Sequence, residues 1–122
     1  MQLDKTNYVG KNYFTGYGDQ YVLINQVRYE QALVVSPNHI EPWSVKSFDD
    51  LKASHFTTLI RYAPEIVLFG SGTVLRFVHP RLTSTLTQKG IGFEVMDTQA
   101  ACRTFNVLNH SERNVLIALL LV

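Results

Sequence analysis

The chain has 122 residues and a mass of 13.9 kDa, the size of one domain that can bury a hydrophobic core without a metal ion or a disulfide. Hydrophobic residues make up 46% and charged residues 17%, which is ordinary for a globular domain. The net charge is +1, and the Lys and Arg residues are scattered along the chain, so the charge gives no argument for nucleic acid or a membrane surface as a partner.

The cysteine content and the lengths of the apolar runs indicate the cellular compartment of the protein. Cys102 is the single cysteine, so an intrachain disulfide is excluded and a reducing compartment is favoured. Residues 1–5 lack the apolar core of a signal peptide. The longest apolar run, residues 115–122, has 8 residues, far fewer than the ~20 that span a bilayer. We therefore expect a cytoplasmic protein with no direct insertion into a membrane.

The first third of the sequence has β character. Residues 13–17 favour a first strand, although glycines weaken it. Tyr21–Ile24 and Val27–Tyr29 flank Asn25-Gln26, which is a two-residue hairpin signal. Residues 31–35 extend the second arm of the hairpin until Ser36-Pro37-Asn38 ends it.

The pattern then changes to a helix followed by a buried strand. Ser47 is placed to cap a helix whose apolar face continues to about Tyr62, with a break near Ser54-His55. Pro64 ends this helix. Residues 65–69 form a nearly continuous apolar run, which is typical of a strand that is covered on both faces.

The remaining sequence predicts helices around a second buried strand. Pro80 suits the start of a helix over residues 80–89, and residues 74–78 resemble another short strand before it. Residues 91–96 form the second buried strand, which leads into a helix capped by Asp97 or Thr98. A last helix is expected from Ser111 through Leu120. Strand 65–69, helix 80–89 and strand 92–96 then form a right-handed βαβ unit with parallel strands.

In such a unit both strands end at one edge of the sheet, where open α/β sheets bind ligands. The backbone N–H groups of a glycine turn can line an anion site, a helix N-terminus favours an anion, and an arginine can add a bidentate contact. The sequence lacks the Gly-Lys-Ser/Thr of a P-loop. The candidate anion-binding residues are Gly70, Ser71, Gly72, Asp97, Thr98, Arg103 and Asn106.

These residues also have a purely structural interpretation. The turn Gly70-Ser71-Gly72 can be a plain tight turn. In this interpretation Arg103 pairs with Asp97 or Glu94 instead of a ligand, and Asn106 is an exposed surface residue. The sequence alone leaves both interpretations open.

No complete catalytic or metal-binding set is found in the sequence. Cys102 lies near a helix N-terminus and beside Arg103, which can lower the pKa of a thiol, but no histidine has the spacing of a catalytic base. We expect a buried, inert cysteine, no metal and no cofactor. Trp43 and the tyrosines of the first thirty residues are either an interaction surface or, as is usual for aromatics along strands, part of the core.

Five blocks of sequence nevertheless resemble a known family. They are FTGYG (14–18), PW (42–43), PEIVLFGSG (64–72), GIGFEVMDT (90–98) and AACRTFNVL (100–108). The chain resembles the Mth-like domain of unknown function 498 family, whose relatives include a mitochondrial complex I assembly factor and an adipogenesis-associated protein. The resemblance implies a three-layer α/β fold with a mixed central sheet and an N-terminal β layer, which agrees with the parallel βαβ unit and the β-hairpin predicted above. We expect a single domain over residues 1–122.

The resemblance implies no reaction, cofactor or catalytic residue set, because none is established for the family. The best-described relatives are assembly or interaction proteins. We therefore expect a non-enzymatic protein-interaction or assembly factor with an unidentified protein partner. The alternative is a small-molecule site, anion-binding or enzymatic, between the Gly70–Gly72 turn and the Thr98–Arg103 helix start. A homodimer formed through exposed apolar strands is a third hypothesis.

Overall fold

The computed structural model describes residues 10–121. Its strands are β1 Phe14–Gly18, β2 Tyr21–Ile24, β3 Val27–Tyr29, β4 Leu33–Val35, β5 Ile40–Pro42, β6 Ile66–Gly70, β7 Gly92–Met96 and β8 Val115–Leu119. Its α-helices are α1 Ala53–Thr57, α2 Ser84–Gln88 and α3 Thr98–His110, and 3-10 helices span Phe48–Asp50, Thr58–Tyr62 and Pro80–Leu82.

The strands form two sheets. An antiparallel sheet has the order β1-β2-β3, and a mixed sheet has the order β5-β4-β8-β6-β7. In the mixed sheet β6 is parallel to both β7 and β8, whereas β4 is antiparallel to β8. The expected parallel pairing of β6 with β7 is therefore confirmed, as is the mixed α/β fold class.

The five-stranded sheet is the middle layer because each of its faces is covered. One face packs against α3 and the three-stranded sheet, with Phe14, Phe105 and Ile117 in the shared cluster. The opposite face packs under α1 and α2, where Phe56 and Leu116 belong to a second cluster. Adjacent residues of β8 alternate between the two clusters, as the period of a strand requires. The three-layer arrangement is thus confirmed.

The N-terminal hairpin is confirmed, and its turn has a clear local cause. Asn25 and Gln26 have φ values of 47° and 71°, which is the type I′ turn that matches the twist of the flanking strands. The predicted extension of the second arm through residues 31–35 is wrong. Leu33–Val35 is buried along its whole length, so it lies inside the five-stranded sheet as β4 and not at the half-exposed edge of the hairpin.

The expected last helix from Ser111 through Leu120 is also wrong, because this segment contains β8. Every residue of β8 is buried, and the strand lies between β4 and β6 at the centre of the sheet. A short apolar run without polar alternation does not distinguish a buried strand from a buried helix. This segment forms a strand because it fills the covered position at the centre of the sheet, between β4 and β6.

Residues 74–78, which resemble a strand in sequence, form no strand in the described chain. Both edges of β6, the strand that precedes them, are already occupied by β7 and β8. The segment therefore has no place beside β6.

Both helices predicted before α3 are broken into shorter pieces. The first is interrupted by the extended backbone at Leu51 and Lys52, slightly before the expected break, and Ser47 donates a hydrogen bond to Asp50 Oδ2 at 3.2 Å instead of capping a backbone N–H. The second begins with the Pro80 turn and is interrupted at Thr83. The strand β7, which the sequence predicts as a second buried strand, is a half-exposed edge strand.

None of the helices in residues 10–121 is long and apolar enough to cross a membrane.

Candidate functional site

The Gly70–Gly72 turn and the start of α3 meet at the edge where β6 and β7 end. The Gly72 N–H donates to Thr98 Oγ1 at 2.9 Å, and the Thr98 N–H donates to the Gly72 carbonyl at 2.9 Å. A Cβ on Gly70 would lie 3.1 Å from Thr98 Oγ1, so glycine permits this close approach. The two predicted halves of the site are therefore adjacent in the structure.

The polar groups of this edge are used within the protein. The Ser71 N–H donates to the Met96 carbonyl at 2.9 Å, and the Thr98 hydroxyl donates to the Leu120 carbonyl at 2.8 Å. Asp97 caps α3, because its Oδ1 accepts the Ala100 N–H at 2.9 Å. An anion that used the turn donors would have to displace bonds that hold three strand ends together.

A small cavity lies beside this edge. It has a volume of about 20 Å³ and is lined by residues that include Tyr17, Gly72, Thr98 and Leu121. A volume of this size holds about one water molecule. A larger ligand would therefore need the turn to move.

Arg103 and Asn106 both face the three-stranded sheet. Arg103 Nη1 donates to the Tyr17 hydroxyl at 2.8 Å, and neither Asp97 nor Glu94 forms a salt bridge with it in the described structure. Asn106 Oδ1 accepts the Phe14 N–H at 2.9 Å, and its Nδ2 donates to the Phe14 carbonyl at 2.8 Å. Asn106 therefore pairs with β1 much as a neighbouring strand would, and it is not the exposed residue that the structural alternative expected.

Asn109, which the sequence did not single out, continues this contact. It is fully buried, and its Nδ2 donates to the Asn12 carbonyl at 2.7 Å. Asn106 and Asn109 are three residues apart on α3, so they lie on one face of the helix. Two asparagines at this spacing on an otherwise apolar helix face are the sequence signal from which this contact could have been predicted.

Cys102 is buried as expected. It belongs to the cluster between α3 and the central sheet, and burial raises the pKa of its thiol well above the ordinary value. A raised pKa disfavours the thiolate, which is the nucleophilic form of the side chain.

The histidines near the helix starts have structural hydrogen bonds. His55 Nδ1 accepts the Lys52 N–H at 2.9 Å, and His79 Nδ1 accepts the Arg81 N–H at 3.1 Å. Within residues 10–121, no group of three or more His, Cys, Asp or Glu side chains is placed to hold a metal ion.

The early aromatic residues belong mostly to the core. Tyr13, Tyr17 and Trp43 are buried, and the Trp43 ring makes edge-to-face contacts with Phe56 and Phe69 at centroid distances of 5.8 Å and 6.0 Å. Tyr8 lies outside the described residues.

A more prominent surface feature is the run of residues 73–78, here called the 73–78 segment. In this segment Val74 is 60% exposed, Leu75 is 48% exposed and Phe77 is 75% exposed. The Ser71 hydroxyl anchors the segment, since it donates to the Val74 carbonyl at 2.7 Å and accepts the Arg76 N–H at 3.1 Å.

The surroundings of this segment contain both signs of charge. Arg76 and Asp49 are exposed and line the same cavity as Thr73 and Val74. The apolar segment therefore lies beside one basic and one acidic side chain.

Comparison with known proteins gives a family and a set of relatives. The family model described as "Protein of unknown function (DUF498/DUF598)" matches residues 14–120. A mouse protein, NADH dehydrogenase [ubiquinone] 1 alpha subcomplex assembly factor 3, is 37% identical over 82 residues, which cover 66% of this chain and 44% of the mouse protein. The chain spans about half the length of the curated relatives first matched.

Two solved bacterial structures are similar over nearly the whole chain. A crystal structure from Bordetella parapertussis has a TM-score of 0.87 and 38% identity, and the match covers 92% of this chain and 97% of that one. A solution structure from Bordetella pertussis, described as a Mth938-like domain, has a TM-score of 0.82 and 31% identity over 98% of this chain and 92% of that one. Because the family model matches residues 14–120, the chain belongs to the DUF498/DUF598 family of proteins of unknown function.

Proposed function

We propose that this chain is a non-enzymatic protein-binding domain that acts as an assembly factor, and that the 73–78 segment contacts its partner. The observation that carries this proposal is the exposure of Val74, Leu75 and Phe77 within four consecutive residues. Single exposed apolar residues are ordinary, whereas a contiguous apolar patch is typical of an interaction site.

Anchoring of the segment supports the same proposal. The Ser71 hydroxyl donates to the Val74 carbonyl and accepts from the Arg76 N–H, and the Arg76 guanidinium lies 5.5 Å from the Phe48 ring centroid. These contacts restrict the segment before any partner binds. Preorganisation lowers the entropic cost of binding. The name of the mouse relative supports an assembly role, and the identity of the partner is not carried over from it.

Affinity capture with matched variants tests the proposal. The tagged full chain should capture a reproducible partner, and the variant Val74→Ser/Leu75→Ser/Phe77→Ser should lose it. Val107→Ser is the matched control, because Val107 is 65% exposed but lies on α3. Capture of no reproducible partner by the wild type, or equal loss in both variants, would contradict the proposal.

An anion site formed by Gly70, Ser71, Gly72, Asp97, Thr98, Arg103 and Asn106 stays as the alternative proposal. The adjacency of the turn and the helix start supports it, although the turn donors are already hydrogen-bonded. This alternative predicts that inorganic phosphate raises the melting temperature of the wild type but not of Arg103→Ala, since a ligand that binds only the folded state stabilises it. Equal shifts in both proteins would rule it out.

A cytoplasmic location and a homodimer are further proposals. Light scattering at two protein concentrations tests the homodimer, because the dimer fraction rises with concentration.

A further inference from the structure

We propose that a cleft beside Trp43 binds a small apolar carboxylate through the Trp43 indole N–H and the Lys46 ammonium group. The cleft, here called the Trp43 cleft, has a volume of about 410 Å³ and is lined by residues 30–32, 43–46 and 120–121. This inference goes beyond the proposed function, because the 73–78 segment takes no part in it.

The Trp43 cleft lies at the edge of the five-stranded sheet where β6 and β8 end. The strand β4 is antiparallel to both β5 and β8, so the residues before β4 and after β5 meet the residues after β8 at this edge. The Trp43 N–H donates to the Ala32 carbonyl at 2.9 Å and holds two of these three chain segments together. Open α/β sheets bind ligands in crevices outside the carboxyl ends of their strands.

The lining of the Trp43 cleft is apolar below a polar rim. Its buried and half-buried lining residues are all apolar, namely Ala32, Trp43, Val45, Leu120 and Leu121. The lining residues with polar side chains are all exposed. A volume of this size with an apolar lining and a few polar groups is typical of a small-molecule site, for which about 300–1,000 Å³ is usual. The lining therefore favours a ligand with an apolar body and one polar group.

The indole N–H of Trp43 requires an acceptor that the described part of the chain does not supply. Trp43 is 7% exposed, and its Nε1 is buried without a hydrogen-bond partner among residues 10–121. A buried donor without an acceptor lowers the stability of the folded state, so such groups are rare in native proteins. Because Trp43 also lines the cleft, a bound molecule that carries an acceptor can supply the missing partner.

The charges that line the cleft indicate a negatively charged acceptor. Glu30 and Lys46 are the charged lining residues. The Glu30 carboxylate is already paired with the Arg28 guanidinium at 2.6 Å, whereas Lys46 forms no salt bridge within residues 10–121. Asp49, which is close to Lys46 in sequence, lines another cavity together with Arg76. One positive charge at the rim is therefore left without a partner, and a carboxylate is its natural complement.

Nuclear magnetic resonance of the full chain tests the inference directly. Trp43 is the single tryptophan, so a proton–nitrogen correlation spectrum contains one indole N–H signal. Cyclohexanecarboxylate should shift this signal downfield in a saturable way, because the N–H acquires an acceptor. Cyclohexanecarboxamide, which has the same ring without the charge, should bind more weakly. Cyclohexylmethylammonium, which has no acceptor, should not bind.

Variants of the chain separate the two contacts, with affinity measured by calorimetry. Trp43→Phe keeps an aromatic ring but removes the indole N–H, and it should weaken binding of cyclohexanecarboxylate by at least about tenfold. Lys46→Gln should weaken binding by about threefold, as is usual for an exposed ion pair. Lys89→Gln is the matched control and should bind like the wild type, because Lys89 is exposed but lies outside the cleft. Since Lys46 is exposed, Lys46→Gln provides the test even if Trp43→Phe fails to fold.

Several outcomes would overturn the inference. They are absence of binding by cyclohexanecarboxylate and octanoate alike, equal affinity for the carboxylate and the ammonium probe, or an indole signal that stays unchanged while calorimetry shows saturation. Inorganic phosphate that shifts the indole signal as strongly as cyclohexanecarboxylate would exclude a preference for an apolar body. Binding that Arg103→Ala loses but Lys46→Gln and Trp43→Phe retain would assign the carboxylate to the Gly70–Gly72 turn and not to the Trp43 cleft.

Discussion

Asn106 connects residues that are far apart in sequence. Its amide accepts and donates one hydrogen bond each with the main chain of Phe14, which is 92 residues away. Phe14 is fully buried, so its N–H and carbonyl lack access to water when the amide is removed. The Asn106 side chain thus forms with β1 the main-chain hydrogen bonds that an adjacent strand would form.

We expect Asn106→Ala to lower the free energy of unfolding by about 2–3 kcal/mol, because it leaves two buried main-chain groups without partners. Urea unfolding measures the change. Arg103→Ala is the control on the same helix. It removes one hydrogen bond from an exposed side chain and should cost about 1 kcal/mol or less. Equal losses in the two variants would contradict this account.

The adjacency of the Gly70–Gly72 turn and the start of α3 could be predicted from the sequence because a general rule applies. The adjacency of Gly72 and Thr98 follows from the rule that parallel strands of one βαβ unit end at the same edge. The partners of Arg103 and Asn106 do not follow from any local pattern. They depend on how the three-stranded sheet packs on α3, which is a tertiary arrangement.

At the scale of elements, Glu65 connects the beginnings of two central strands. Its Oε2 accepts the Asn114 N–H at 2.8 Å, and its Oε1 accepts from Arg113 Nε at 3.1 Å. These residues directly precede β6 and β8. The hydrogen bond from Asn114, then that from Arg113, lowers the pKa of the Glu65 carboxyl below its ordinary value of 4.5.

A lowered pKa in the folded state makes the contribution of Glu65 depend on pH. The stabilisation is fully present above the unfolded pKa and is lost as the pH falls through the lowered folded pKa. We therefore expect Glu65→Gln to be less stable than the wild type from pH 5 to 7, and the difference to shrink as the pH falls below 4.5. Urea midpoints measured across this range provide the check.

Glu112→Gln is the matched control, since Glu112 is exposed and forms no salt bridge in the described structure. Its urea midpoints should follow the wild-type curve at every pH. A Glu65→Gln curve that runs parallel to the wild type below pH 4.5 would show that the carboxylate does not contribute in this way.

Elements with local signals could be predicted from the sequence. The hairpin has its two-residue turn, β6 and β7 have compact apolar runs, and α3 has the Asp97 cap. The strand β8 could not be predicted, because its apolar residues satisfy a buried helix equally well. The 73–78 segment has strand propensity, and propensity alone does not reveal that both edges of β6, the strand before it, are paired.

At the scale of the whole molecule, the two hydrophobic clusters share the five-stranded sheet. Trp43, the single tryptophan, reports on the cluster under α1 and α2. Cys102, the single cysteine, reports on the cluster under α3. The wild-type chain therefore contains one natural probe on each face of the sheet.

We expect these two probes to give the same urea midpoint, because neither cluster can form without the shared sheet. Trp43 fluorescence and pulsed labelling of the Cys102 thiol measure the two transitions, and coincident transitions indicate two-state unfolding of a single domain. Far-ultraviolet circular dichroism is the control for the whole fold. Labelling of Cys102 at a clearly lower urea concentration would show that the α3 face opens separately.

The central position of β8 has a consequence for biosynthesis. Strands leave the ribosome in chain order, so β4–β5 and β6–β7 emerge before the strand that joins them. Until residues 115–119 emerge, β4 and β6 each have an open edge, and open edges and exposed apolar surface promote aggregation. The central sheet is therefore completed late, and a nascent chain stalled before residue 115 is a substrate for chaperones and proteases.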